Sequence, residues 1–247
     1  MTDPIAARFD ALADRAAELF AGLGRSLVLG DACPDRVEGA RGDVTFRCRA
    51  WAGPGAALAR AVRVDSDRAR VFNAVVIPHV DDPRPVLGVE LLAFARGLHL
   101  VVLDGFPLGA SRRPGEPLAD ALAAAHSALV RPDADPIPEW GRAVFSSDVV
   151  LAKHRPDAPL DLERATAHTR AVLDAWHETG AAAGDRDVIA QRRRRYLLDH
   201  AAHEPAGPWL ARLLGDDRAH AFVHGVLFPS WLANDDEPRP AWYTPGT

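Results

Sequence analysis

The sequence predicts an α+β fold in which helices cover a mainly antiparallel sheet. Apolar runs with strand patterning crowd into the stretch up to residue 104 and are separated by short turns, whereas the chain from residue 161 onward is patterned almost entirely as helix. No composition break reads as a linker between the two halves, so both belong to one domain spanning 1–247, with a core of about 26–230 and a loose polar tail over 234–247.

The first element is a helix. Thr2 or Asp3 can cap it, Pro4 suits its first position, and Ile5, Phe9, Leu12, Ala16 and Phe20 recur at helical spacing before Gly22 and Gly24. Short strands are expected at 26–30 and 43–50, where Val44, Phe46 and Cys48 share a face. Further strands follow at 57–65 and at 70–77, which Pro78 stops, then at 86–95 and 98–104. Adjacent strands with short turns imply an antiparallel meander. On the strand 57–65, Arg60 and Arg63 point to opposite faces. Residues 117–130 read as a helix, 144–151 as a short apolar segment, and 161–182, 187–203, 206–214 and 216–227 as helices.

Composition excludes several classes. At 247 residues, with 48% hydrophobic and 26% charged residues, the chain is neither disordered nor collagen-like, and it lacks the long apolar runs of a membrane bundle. A net charge of −5 counts against a general nucleic-acid binder. The N-terminus has no basic segment followed by an apolar one, which predicts a cytoplasmic protein. Cys33 and Cys48 form no framework and are expected as free thiols in a reducing cytosol. Lys153 is the only lysine, so lysine chemistry has a single candidate. Phosphate-binding loops, a dinucleotide fingerprint and a nucleophile elbow are absent. His220 with His224, and His200 with His203 and Glu204, are clustered but match no metal-ligand pattern, so no metal site is expected.

One carboxylate stands out. Glu90 lies in the middle of the apolar run VLGVELLAFA, where it either faces solvent or lines a pocket. A desolvated carboxyl holds its proton nearer neutral pH and can donate it. The stretch from Val75 to Pro107 supplies Ile77-Pro78, then Pro85-Val86-Leu87-Gly88-Val89-Glu90, then Asp104-Gly105-Phe106-Pro107. Further on come Phe145-Ser146-Ser147 with Lys153 and Arg155, Tyr196-Leu197-Leu198, Pro205 with Trp209-Leu210, and Leu214-Gly215 with Val226-Leu227-Phe228. In order and spacing, over about 43–230, these resemble the ferredoxin-dependent bilin reductases.

The resemblance implies an α/β fold of three layers, an α/β/α sandwich whose central antiparallel sheet is flanked by helices. It implies a monomeric enzyme with no bound flavin or nicotinamide. Electrons would come singly from the 2Fe-2S cluster of reduced ferredoxin to a linear tetrapyrrole, by default biliverdin, with acidic side chains protonating the radical. It implies no nucleic-acid or membrane partner.

Carried over residue by residue, Glu90 falls at the family's central catalytic Asp, and Glu204 at a second catalytic Asp of several members. Asn73 falls where the phycocyanobilin-forming members have His. Ala61 falls where those members have a glutamate used for vinyl reduction, which argues against that four-electron reaction. His99, and either Lys153 or Arg155, fall where the family contacts substrate propionates. The run Arg192–Arg195 is a candidate docking patch for acidic ferredoxin. The Asp-to-Glu changes keep open a substrate resembling that of the related red chlorophyll catabolite reductases. A protein that holds a bilin or haem without turnover is the non-enzymatic alternative.

Overall fold

The computed structural model of the chain describes residues 3–243, apart from 34–35, 40–41, 95–96, 110, 112, 135–136, 138, 156, 158, 181–183 and 234–237. Helix α1 (Pro4–Ala21) begins as the sequence predicts: the Asp3 carboxylate accepts from the backbone N–H groups of Ile5 and Ala6. Its apolar stripe, Phe9, Leu12, Ala16 and Phe20, is buried. The chain then enters β1 (Arg25–Leu27), β2 (Arg36–Gly39), β3 (Gly42–Gly53), β4 (Ala56–Asp65), β5 (Ala69–Ile77), β6 (Val86–Phe94) and β7 (Gly97–Phe106). Helices α2 (Leu118–Leu129) and α3 (Glu139–Val144) precede β8 (Val150–Lys153). The last part holds α4 (Leu162–Glu178), α5 (Arg186–Ala202), α6 (Gly207–Leu214) and α7 (Asp216–Phe222), which runs into a π-helical turn at Val223–Leu227.

Among the described residues the strands form one antiparallel sheet in the order β1-β3-β4-β5-β6-β7-β8, with β2 also pairing β3. The expected meander is thus the body of the sheet. Alternation along its strands feeds two separate cores. On one face α1, α2 and α4 pack against Ala61, Phe72, Ala74, Val89, Leu91 and Leu103. On the other, α5, α6, α7 and the π turn pack against Leu58, Val62, Val64, Val75 and Ile77. This is the expected three-layer α/β/α sandwich. Where α1 turns into β1, Gly24 lies so near β3 that a Cβ would come within 2.3 Å of the Ala52 carbonyl, a contact only glycine permits.

Three local expectations change. Cys33 and Cys48 are joined in a disulfide rather than free. A 3-10 turn at Gly30–Ala32 folds Cys33 back over β3, bringing the Cα atoms to 6.3 Å, within bridging range. The apolar segment 144–151 splits into the end of α3 and the start of β8, because Ser146 is held on Asp104 between them. The tail was expected to be loose, yet Tyr243 is buried, with its hydroxyl donating to the Ala57 carbonyl at 3.1 Å and its ring 4.4 Å from Trp231. Residues 234–237 and 244–247 of that tail lie outside the described residues.

Candidate active site

Three rows of side chains cross the sheet on the face that α5–α7 cover. In the central row Val62, Asn73, Glu90, Val102 and Leu151 stand opposite one another from β4 to β8. One neighbouring row is Arg60, Val75, Gly88 and Asp104. The other is Val64, Val71, Leu92, Leu100 and Lys153. The period of two that makes β6 alternate therefore places Glu90 under the C-terminal helices.

Glu90 is half-buried. Burial pushes its carboxyl up to about 7; the nearby Glu204 carboxylate pushes the same way, while the Arg60 cation and a hydrogen bond from Asn73 oppose. Glu204, in the connection between α5 and α6, is also raised by burial, against the N–H of Ala206, which donates to its Oε1 at 2.8 Å, and against Arg60. Two carboxyls facing one cation in a desolvated space favour holding a proton between them.

Arg60 is 1% exposed. Its Nε and Nη2 donate to the Leu227 carbonyl at 3.0 and 2.7 Å, and its Nη1 donates to Asn73 Oδ1 at 2.7 Å. Burial lowers the guanidinium to about 10, so it stays charged at neutral pH. In the same row, Asp104 accepts from the Ser146 backbone N–H at 3.1 Å and from its hydroxyl. Burial raises Asp104 to about 6 against those bonds.

The opposing wall is aromatic. The Tyr196 and His200 rings on α5 lie 4.0 Å apart, and His200 is 5.1 Å from Phe228 and 5.6 Å from Phe145. Phe106 adds a ring 5.2 Å from Tyr196. Burial lowers His200 to about 4, leaving a neutral imidazole. Its Nδ1 faces the Tyr196 carbonyl at 2.9 Å, an acceptor only, so Nδ1 carries the proton and Nε2 is free to accept. Gly88 lets this wall come close to the sheet: a Cβ there would sit 3.3 Å from the Tyr196 hydroxyl. Acids on the sheet side and aromatic rings on the helix side are the kinds of group that bind a flat conjugated ligand.

The remaining sequence candidates are spread along the same end of the sheet. His99 is exposed at the β6–β7 irregularity, its ring 5.0 Å from Phe94. Lys153 is exposed on the outer row of the site face, and among the described residues no carboxylate pairs with it. Arg155 is engaged elsewhere, with Asp133 at 3.5 Å and Asp157 at 3.7 Å.

Two readings need correction. Ala61 faces α1 and its neighbours, on the opposite side of the sheet from Glu90; the β4 residues that share the site face are Arg60 and Val62. The run Arg192–Arg195 is not one surface. Arg193 is buried and donates to the Leu232 carbonyl at 2.9 Å, and Arg192 donates to the carbonyls of Gly109 and Ser111. Arg194 and Arg195 are the exposed pair. From the sequence, one of Arg60 and Arg63 could face the pocket, and the structure turns Arg60 toward Glu90; Asp104, Tyr196 and His200 carried no site role. Arg60 carried a signal, a charge in an apolar strand, whereas the others are gathered only by tertiary packing.

The α/β/α sandwich, with one carboxyl on the inner sheet face, a second in the α5–α6 connection and an aromatic cluster on the overlying layer, places two acids and a group of rings together under the C-terminal helices. The chain belongs to the ferredoxin-dependent bilin reductase family, whose model matches residues 31–229. It is 26% identical over 180 residues to a phycoerythrobilin:ferredoxin oxidoreductase of Nostoc punctiforme, covering 68% of this chain and 69% of that one. It is 27% identical over 184 residues to the protein of the same name from Prochlorococcus marinus, covering 69% and 70%. In fold it matches the crystal structure of phytochromobilin synthase from tomato in complex with biliverdin, with a TM-score of 0.69 at 15% identity over 94% of this chain and 86% of that one. Among the described residues no helix is long and apolar enough to cross a membrane.

Proposed function

We propose that this chain, as a single-domain cytoplasmic monomer, reduces a linear tetrapyrrole, with biliverdin as the first substrate to test. Each reduced double bond takes two electrons and two protons. A reduced 2Fe-2S ferredoxin gives one electron to the bound bilin, and Glu90 gives a proton to the resulting radical anion, leaving a neutral radical. A second ferredoxin and a second proton, from Glu204, complete the dihydro product. Both carboxylates then regain protons from water. No flavin or nicotinamide takes part.

The observation that carries this reading is the placement of Glu90 on the inner face of the sheet, across the ladder from Asn73, whose amide oxygen accepts from Arg60 at 2.7 Å; burial there pushes the Glu90 carboxyl up to about 7. An acid poised near neutral pH is what stepwise protonation needs. With its oxygen accepting from Arg60 and one N–H turned to Glu90, Asn73 has its second N–H to offer a lactam carbonyl. His99 and Lys153, both exposed near the β7–β8 edge of the sheet, suit the propionates. Arg155 is the weaker candidate because Asp133 and Asp157 hold it. Both acids being Glu, one methylene longer than Asp, favours keeping a second conjugated substrate in view.

The test is anaerobic mixing of the purified protein with biliverdin and reduced ferredoxin, followed in the visible. A blue-shifted product or a transient radical band is expected. A stable, unreduced complex would instead make the protein a bilin carrier, and no spectral change on mixing would remove bilins from consideration.

A further inference from the structure

The proton-delivery scheme above makes no use of Arg60, although it is the most deeply buried charge beside Glu90. Each of its three nitrogens makes a hydrogen bond. Two of its nitrogens hold the Leu227 carbonyl, at the end of the π turn, and the third donates to Asn73 Oδ1. A carboxamide has one acceptor end and one donor end. With Oδ1 turned to Arg60, the donor end of Asn73 is left for Glu90, directly across the β5–β6 ladder.

We propose that Arg60 is a positioning residue: it locks Asn73 with its NH2 toward Glu90, so that a donor waits for the carboxylate that proton transfer leaves behind. This rests on the reading of Glu90 as proton donor. An N–H donor favours the charged carboxylate, so Asn73 held in this way eases release of the proton rather than its retention. Arg60 thus acts through two routes. Its charge acts directly on Glu90, and its geometry acts through Asn73. The other charged group acting on Glu90 is Glu204 from the α5–α6 connection; Tyr196, on the overlying α5, acts on Arg60, and Asp104 lies in the next row of the sheet.

Two variants separate the routes. Arg60→Lys keeps a charge but replaces the planar fork with a single ammonium, which cannot reach Leu227 and Asn73 in the same way. The Glu90 titration can be read without substrate, from the infrared C=O band of its protonated carboxyl, assigned by its loss in Glu90→Gln. In Arg60→Lys the midpoint is expected to rise by about one pH unit. Asn73→Ala is expected to raise it as much, and the double variant no further. An unchanged midpoint in Arg60→Lys, or shifts that simply add, would overturn the proposal.

A measurement on the unaltered protein guards against a variant that fails to fold. The chain has only two asparagines, Asn73 and Asn234. With 15N-asparagine labelling, one side-chain NH2 pair should move with pH at the Glu90 midpoint, and that movement should vanish in Glu90→Gln. Two pH-insensitive pairs would sink the idea. Turnover of biliverdin with reduced ferredoxin is scored separately. Loss of the functional reading therefore shows as absent turnover, whereas loss of this proposal shows as an unresponsive Asn73.

Discussion

Asn73 and Glu90 face each other across the β5–β6 ladder, and the oxygen of the Asn73 amide is taken by Arg60 at 2.7 Å. The acid in the central row of the sheet thus has a partner whose orientation is fixed from a third strand. The chemistry of the site follows from that short chain of contacts.

Glu90→Gln preserves shape and removes the proton. The variant is expected to bind biliverdin with affinity close to that of the parent and to stop after the first electron, accumulating a radical visible in absorption and electron paramagnetic resonance. Turnover equal to the parent's would show that another group delivers this proton.

Activity should decline as pH rises past about 7, where Glu90 ionises. Stability should change in the same direction. The carboxyl is raised from 4.5 to about 7 on folding, so the folded state holds its proton more tightly. The resulting stabilisation is complete below pH 4.5 and is lost as pH rises through about 7. Asp104, raised from 3.8 to about 6, adds a loss over the lower part of that window. Urea denaturation at pH 5 and pH 8 should therefore show a fall that Glu90→Gln reduces; an equal fall in both proteins would contradict the assignment.

Lys153 and Arg155 should part company. Lys153→Met is expected to weaken biliverdin binding about two- to fivefold, the worth of a solvent-accessible ion pair, whereas Arg155→Met should leave it unchanged because that guanidinium pairs with Asp133 and Asp157. Titration of the bilin absorption band decides between them, and the opposite ranking would move the propionate contact to Arg155.

The disulfide closes a separation of 15 residues. Removing it with Cys33→Ser frees the unfolded chain and is expected to cost up to about 3 kcal/mol. Guanidinium denaturation, with the parent and the variant compared in the absence of reductant, measures this. A variant as stable as the parent would mean that the segment around Gly30–Ala32 is held by packing alone.

Most of the fold was legible because alternation and helical spacing are local signals. The helix at Pro4–Ala21 and the strands from β3 to β7 lie close to where the pattern puts them. β2 escaped because Arg36–Gly39 is four residues without alternating apolar positions. The Cys33–Cys48 bridge escaped because it depends on a 3-10 turn folding back over the sheet, which spacing does not encode. Glu90 announced itself as a charge inside an apolar strand. Its neighbour Glu204, and the Tyr196 and His200 rings of the same layer, come from more than a hundred residues further along the chain, and only the packing of α5 over the sheet assembles them.

The split of the sheet into two cores makes residue parity a chemical variable. On β4 the even positions 60 and 62 look toward the α5–α7 layer and the odd position 61 looks into the α1 layer. Ala61→Glu therefore should not confer vinyl reduction. It should bury a carboxylate among α1 and its apolar neighbours, at a cost of about 3 kcal/mol or more, seen as a lowered melting temperature with unchanged products. By the same logic, inserting one residue within β6 would exchange Glu90 for an aliphatic neighbour and turn the acid toward the other core. Divergence that keeps the chemistry must then add or remove strand residues in pairs, or confine its length changes to the hairpins.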